Sequence, residues 1–252
     1  MISVALVVVT LVVAVRSTWS PCGWSMLSTL TPMSERARGH KYLVTLSWYV
    51  LGSTVGGLIM GSMVGLLGLV VEQISFSHSQ AVGISGLACV VCVLSDWPGV
   101  SFKLPTHTRQ VNEDWIDHYR VFVYAGGFGL QIGSGYATYI TTAGVYLTGV
   151  LAVLSGSALR AIVMGIGFGM VRGISILLAG RLESPGELVS FHRFFDQAGS
   201  VAQVITQTAM AIVAVVLLGT LWVPLGVVTA LAMALVALRE VTRGQRVHER
   251  TL

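Results

Sequence analysis

Charged residues are scarce in this chain of 252 residues, because Asp, Glu, Lys and Arg together account for only 10% of it. Soluble globular domains carry about 25% charged residues, so the shortage excludes an ordinary cytosolic enzyme. Hydrophobic residues make up 54% of the sequence, which also excludes a disordered chain, since disorder needs high charge and low hydrophobicity. The basic residues stand in short clusters beside apolar runs, a distribution typical of a polytopic membrane protein.

Cysteine is equally scarce, and a total of three excludes a disulfide-rich scaffold. The sequence also lacks a Walker loop, a dinucleotide-binding GxGxxG after a strand, a GxSxG nucleophile and an HExxH zinc motif. His107 and His118 stand at no recognisable metal-ligand spacing, so neither a metal nor a cofactor is predicted. The net charge of +4 does not indicate nucleic-acid binding, because the basic residues lie beside apolar runs.

Long uncharged stretches predict seven membrane spans. A bilayer core about 30 Å thick needs about 20 residues of helix. The 42 uncharged residues of 197–238 would form a helix of about 63 Å, so the chain must turn back near Gly219 and Pro224. The uncharged run 121–159 is also too long for one straight span, and we place its break at Gly133 and Gly135. The predicted spans are 3–33, 42–71, 77–95, 119–152, 158–180, 198–218 and 222–239.

The basic residues of the predicted loops fall mainly on one side of the membrane. Twelve Lys and Arg residues lie on that side if the spans alternate, whereas the opposite loops hold only Arg160. Cytoplasmic loops are enriched in Lys and Arg, so we expect a multi-pass protein of the cell membrane with its N-terminus outside and its C-terminus in the cytoplasm. The basic side comprises loops 34–41, 96–120 and 181–197 and the tail from Arg239.

A weak internal repeat suggests how the spans are organised. Residues 132–137 can be laid on residues 20–25 at an offset of 112, which matches Gly133 to Pro21 and Ser134 to Cys22. A match of the first span to the fourth implies two inverted halves, a common plan among transporters. We therefore predict an all-α fold and a single membrane domain over 1–252. Its parts are a first three-helix repeat at 1–95, a cytoplasmic linker loop at 96–118, a second repeat at 119–218, and an extra helix and basic tail at 219–252.

The first predicted span carries a break around Cys22. Pro21 removes a backbone donor, and Gly23 loosens the following turn. Freed carbonyl groups within a membrane are tolerated only against protein or a wet cavity. Two interpretations follow. Either the break is a kink packed on a neighbouring helix, or it opens the helix and exposes Cys22 to a cavity.

The run Ser20-Pro21-Cys22, followed by small and polar residues as far as Pro32, resembles the first span of the CcdA family of cytochrome c biogenesis proteins. It is also similar to the transmembrane part of DsbD and to MauF-like members. The resemblance implies two facing three-span repeats, each supplying one cysteine of a redox pair. That pair would pass reducing equivalents from a cytoplasmic thioredoxin-like protein to envelope thiols, which makes the chain a candidate thiol-disulfide oxidoreductase.

The second cysteine that the resemblance implies is missing, because Ser134 stands at its position. The remaining thiols, Cys89 and Cys92, are spaced C-x-x-C in the third span and so share one helix face. They either meet Cys22 in a common cavity and replace the missing partner, or are small apolar packing residues, as buried cysteines commonly are.

Three polar residues within the spans complete the candidate site. Arg16 lies one to two turns before Cys22, where a guanidinium would favour a thiolate or bind an anion, unless it reaches the membrane boundary. Arg172 would be costly without a partner in mid-membrane. No acid lies within a predicted span, so a freed carbonyl or a substrate anion is its expected partner. Gln131 either lines the interior or joins helices.

Three classes of function remain open. The first is thiol-disulfide exchange through Cys22, with Cys89 or Cys92 resolving the mixed disulfide. The second is a small-molecule transporter, of an anion by its buried arginines, with a route lined by Arg16, Arg172, Gln131 and Ser134. The third is a structural or assembly subunit of a membrane complex. The expected partners are the lipid bilayer, thioredoxin-like proteins on either side, and further subunits or copies of the chain.

Overall fold

The computed structural model describes residues 1–74, 76–106 and 108–249, with side chains described as far as residue 236. His107 and the arginines of the basic tail therefore lie outside the described side chains. Every regular element in the described ranges is helical. The α-helices are α1 (Ile2–Arg16), α2 (Pro21–Thr29), α3 (Pro32–Ala37), α4 (Tyr42–Glu72), α5 (His78–Asp96), α6 (Trp115–His118), α7 (Val121–Ser134), α8 (Gly144–Leu154), α9 (Ala158–Ile174), α10 (Pro185–Leu221) and α11 (Val223–Glu249), with 3₁₀ turns at Ser17–Trp19 and Ser175–Ala179.

Five helical segments of the described chain are long and apolar enough to cross a membrane. Three further apolar segments are shorter, and two of them arise because the fourth predicted span is divided. The long segments are Ile2–Trp19, Tyr42–Glu72, His78–Asp96, Ala158–Ala179 and Pro185–Leu221, and the shorter ones are Val121–Ser134, Gly144–Leu154 and Val223–Val236. The chain is thus an all-helical, multi-pass membrane protein.

Helix α10 begins at Pro185, before the predicted start of the sixth span at 198. The Ser184 side chain accepts a hydrogen bond from the Glu187 backbone N–H, and the Glu187 carboxylate accepts one from the Ser184 backbone N–H in return. This capping box, with Pro185 in the first turn, satisfies backbone donors that have no partner inside the helix. The segment 186–195 is consequently part of a continuous helix.

Helix α4 lies at the centre of the bundle and packs most extensively on α7 and α9. Small residues make this contact, since glycines let helix backbones approach closely within a membrane. A Cβ atom placed on Gly57 or on Gly165 would collide with the backbone of the other helix. Ser53 adds a hydrogen bond of 2.5 Å from its Oγ to the carbonyl oxygen of Gly169. This tight packing fixes α9, and with it Arg172, against the middle of the bundle.

Helices from the first part of the chain also pack on helices from the second part. Helix α1 contacts α8, α4 contacts α9, and α5 contacts α10. The buried residues divide into separate clusters. One holds residues of α1, α5, α8 and α10, and another holds residues of α2, α4, α7 and the linker. The three cysteines are divided between these two clusters, with Cys89 and Cys92 in the first and Cys22 in the second.

Candidate functional site

The first helix comes apart at Ser20. Helix α1 ends at Arg16, a 3₁₀ turn follows, and Ser20 adopts an extended conformation with φ −77° and ψ 155°. The Ser20 Oγ accepts a hydrogen bond of 3.2 Å from the Gly23 backbone N–H, so it caps the N-terminus of α2. Pro21 occupies the first turn of α2, where its missing N–H needs no partner. The proline therefore marks the start of a second helix rather than a kink within one.

The second break follows Ser134, the last residue of α7. Gly135 has φ +75°, a left-handed conformation that favours glycine and ends the helix. The Ser134 Oγ donates to the carbonyl oxygen of Gln131 at 2.7 Å and accepts from the Ala137 backbone N–H at 3.2 Å. Residues 135–143 then run outside any helix until α8 begins at Gly144. Ser134 thus stabilises a turn at its position in the second half.

Arg172 connects the two breaks. Its Nη1 donates to the carbonyl oxygen of Ile132 at 2.6 Å, at the end of α7. Its Nη2 donates to the Ser17 carbonyl oxygen at 3.1 Å and to the Ser20 Oγ at 3.2 Å, at the end of α1. The Arg172 residue is only 2% exposed. Of the partners expected for this arginine, the structure therefore supplies carbonyl oxygens freed by helix breaks.

Cys22 lies in the first turn of α2, close to the Arg172 guanidinium, and is 1% exposed. The linker loop covers it. The Cys22 Sγ–H donates to the Arg109 carbonyl oxygen at 3.8 Å, and Val111 and Ile116 belong to the same buried cluster. The Ser25 hydroxyl donates to the Glu113 carboxylate one turn further along α2. The linker predicted at 96–118 is thus folded over the thiol.

Cys89 and Cys92 lie elsewhere in the bundle. Both are buried on α5, in the cluster that α5 forms with α1, α8 and α10, whereas Cys22 belongs to the cluster around α2, α4 and α7. All three cysteines are free thiols. The structure therefore places Cys89 and Cys92 on one face but does not bring them to Cys22. The reason is that α5 packs on α10 and α8, while α2 packs on the 3₁₀ turn after α9.

A polar cavity of about 260 Å³ opens where α1, α5 and α10 meet the segment between α7 and α8. Arg16 lines it. The residues Ser134 and Gly133 line a different and smaller cavity of about 40 Å³, and Arg172 is closed off by its own hydrogen bonds. The four residues predicted for a transport route thus do not share one cavity. The large cavity is also lined by Ser95, Asp96, Lys103, Thr141, Thr142, Tyr146, Gln203 and Gln207.

Asp96 is the last residue of α5, one residue beyond the predicted third span. The Asp96 carboxylate accepts hydrogen bonds from the Thr142 hydroxyl and, at 2.7 Å, from the Ala143 backbone N–H. Its backbone carbonyl accepts from the Gln207 Nε2 at 2.8 Å. Asp96 thus joins α5 to the start of α8 and to α10. The sequence carried no local signal for this role, since the partners are about fifty residues or more away.

Glu35 is a further buried acid that the sequence patterns missed. It is 0% exposed, and its carboxylate accepts hydrogen bonds from Arg38 at 2.8 Å, from Thr45 at 2.6 Å and from Tyr124 at 2.9 Å. A buried carboxylate is stable only when it is paired and hydrogen-bonded in this way. Glu35 therefore fastens the start of α4 to α7. Three His, Cys, Asp or Glu side chains do not converge as metal ligands anywhere in the residues searched.

Comparison with known proteins identifies relatives that match more than half of this chain. The chain is similar to MauF, the methylamine utilization protein. It is 32% identical to MauF of Paracoccus versutus over 149 residues, which cover 59% of this chain and 54% of that protein. It is 31% identical to MauF of Methylorubrum extorquens over 154 residues and 29% identical to that of Paracoccus denitrificans over 161 residues. The matched segment thus spans about half the length of these relatives.

No family model matches the chain, and no solved structure matches it significantly. The likeness to MauF therefore supports a MauF-like membrane protein, while the wider resemblance to CcdA and DsbD rests on the residues around Cys22.

Proposed function

We propose that this MauF-like protein carries out thiol-disulfide exchange at the cell membrane, with Cys22 as the exchanging thiol. The observation that carries the proposal is the position of Cys22. It lies in the first turn of α2, directly after the helix break at Ser20, whose Oγ accepts a hydrogen bond from the buried Arg172. Reactive cysteines in proteins are found at helix N-termini and next to basic side chains, where the thiolate is favoured. Cys89 and Cys92 have no such surroundings.

The exchange needs an oxidised envelope protein and a reduced thioredoxin-like donor. Because Cys22 is buried beneath the linker, the exchange requires the linker to open first. The Cys22 thiolate then attacks the disulfide of the envelope protein, so that one of its sulfurs joins Cys22 and the other leaves as a thiolate. A donor thiolate then attacks the Cys22 sulfur and releases the envelope protein as a dithiol. The second donor thiol closes the donor disulfide and frees Cys22. Two electrons pass from the donor to the envelope protein, and Cys22 ends as it began.

The donor supplies the resolving thiol in this scheme, since the chain itself holds no second cysteine near Cys22. This differs from the redox pair that the resemblance to CcdA implies. Ser134 cannot form a disulfide, and in the structure its hydroxyl stabilises the turn at Gly135 instead. In this proposal Cys22 forms one mixed disulfide at a time, first with the envelope protein and then with the donor.

The proposed topology has inverted halves, an outside N-terminus and a cytoplasmic C-terminus. The packing of α4 on α9 and of α5 on α10 supports it, because a two-fold axis between inverted repeats would bring equivalent helices together. The two helix breaks support it as well, since each half contains one, and carbonyl oxygens at both breaks accept hydrogen bonds from Arg172. Discontinuous helices at the interface of repeats are where such proteins place their working site.

The test is disulfide trapping with the full chain in proteoliposomes. When a disulfide-bonded envelope protein is supplied as the oxidant, a thioredoxin-like donor whose second cysteine is replaced by Ser should accumulate as a mixed disulfide with the wild type and not with Cys22→Ala. The double variant Cys89→Ala/Cys92→Ala is the matched control and should trap the donor as the wild type does. Trapping that persists in Cys22→Ala, or that is absent from the wild type, would overturn the proposal.

A further inference from the structure

The polar cavity between α1, α5 and α10 lies apart from Cys22 and has a composition of its own. It encloses about 260 Å³, slightly less than the roughly 300–1,000 Å³ of typical small-molecule pockets. Side chains of opposite charge line it, namely Arg16 and Lys103 on one hand and Asp96 on the other. An amide, from Gln203, and several hydroxyl groups complete the wall. A space of this size suits a small polar ligand.

The acid in the cavity already has partners. Both carboxylate oxygens of Asp96 accept hydrogen bonds, one from the Thr142 hydroxyl and one from the Ala143 backbone N–H. Its single negative charge stands against the two positive charges of Arg16 and Lys103. The charged side chains of the cavity therefore sum to one positive charge. Both oxygens of the only carboxylate among its described lining residues already accept hydrogen bonds.

The cavity holds more hydrogen-bond donors than its own acceptors satisfy. Among the described residues Arg16 has neither a hydrogen-bond nor an ion-pair partner, although it is partly buried and the guanidinium carries five N–H donors. Lys103 donates at 2.7 Å to the carbonyl oxygens of Ser95 and Trp97, which leaves one of its three protons. The Thr141 hydroxyl oxygen is buried without a partner in the same part of the chain. Groups of this kind are stable when a ligand supplies acceptors.

We infer that this cavity binds an oxyanion group, a carboxylate or a phosphate, held by the Arg16 fork with Lys103 and Gln203 beside it. A guanidinium matches the two oxygens of a carboxylate or phosphate with two parallel hydrogen bonds. The group belongs either to a free small anion or to the head group of an anionic lipid. The inference is independent of the thiol chemistry, because Cys22 lies in a different cluster.

The experiment uses the full chain purified in a non-ionic detergent. Thermal unfolding is followed in sodium phosphate and in sodium acetate, each against sodium chloride at equal ionic strength, and native mass spectrometry records retained phosphatidylglycerol. A free anion as ligand should raise the melting temperature of the wild type above that in chloride. A lipid ligand should leave the melting temperature unchanged and appear as bound phosphatidylglycerol.

Arg16→Gln should lose whichever of these signals the wild type shows, with an affinity about tenfold weaker or more, because a charged hydrogen-bond donor is removed. Arg160→Gln is the matched control, since Arg160 is exposed and lies outside the cavity, and should behave as the wild type. Lys103→Gln, on the exposed linker, provides a second variant in case Arg16→Gln does not fold. Neither signal in the wild type, or an undiminished signal in Arg16→Gln and Lys103→Gln, would overturn the inference.

Discussion

Arg172 on α9 donates a hydrogen bond of 2.6 Å to the backbone carbonyl of Ile132 on α7. The same guanidinium also bonds Ser17 and Ser20, so one side chain holds both broken helices. We expect Arg172→Met to lower the melting temperature by at least several degrees, because each buried acceptor left without a donor costs about 1–3 kcal/mol. Thermal unfolding in detergent provides the measurement. Arg160→Met is the control, and equal melting temperatures of the two variants would contradict the role.

The cover over Cys22 predicts how fast its thiol can be modified. In a Cys89→Ala/Cys92→Ala background, maleimide should label Cys22 slowly, since the residue is 1% exposed beneath the linker. Replacing the buried Ile116 with Ser should loosen the linker and increase the labelling rate several-fold. Asp117→Ser, at an exposed neighbouring position, should not. The linker would not be the cover if the Ile116 variant were labelled at the wild-type rate.

Two glycines on α9 allow a matched comparison of helix packing. Gly165→Ala should be destabilising, because its Cβ would collide with the backbone of Gly57 on α4. Gly167→Ala places its Cβ in open space and should be neutral or stabilising by about 0.5–1 kcal/mol, the usual gain from alanine in a helix. Thermal unfolding of both variants in one detergent checks this. Equal effects would show that the α4–α9 contact tolerates wider spacing.

Glu35 predicts a third stability effect. Glu35→Ala should lower the melting temperature strongly, because it leaves Thr45 and Tyr124 without their acceptor and removes the ion pair with Arg38. Glu183→Ala is the control, since Glu183 and its partner Arg36 are both largely exposed, and exposed pairs contribute only about 0–1 kcal/mol. A melting temperature of Glu35→Ala equal to that of the control would exclude a structural role.

The sequence predicts the features that depend on local chemistry. Pro21 after a serine predicts the break at Ser20, and Gly135 in an overlong apolar run predicts the break after α7. The scarcity of intramembrane acids also made freed carbonyls an expected partner of Arg172. The two helix breaks depend on the conformation of single residues, and the partner of Arg172 follows from the cost of an unpaired charge. Neither kind of inference requires knowledge of the fold.

The features that the sequence does not predict depend on distant contacts. Asp96 stood at the edge of an apolar run, and its partners Thr142 and Ala143 come from the opposite half of the chain. The separation of Cys22 from Cys89 follows from which helices pack together, which a shared helix face does not specify. The early start of α10 is a different case. Its capping box at Ser184 and Glu187 is a local pattern that the sequence does contain.

The thiol of Cys22 meets a main-chain oxygen of residue 109 and not its side chain. The identity of the amino acid at that position is therefore immaterial to the contact, and the arginine can be exchanged freely as far as this bond is concerned. What matters is the course of the connecting peptide, which has to reach back from the end of α5 and lie across α2. Insertions or deletions between 97 and 109 would consequently increase the solvent exposure of the Cys22 sulfur, whereas side-chain substitutions at 109 would not.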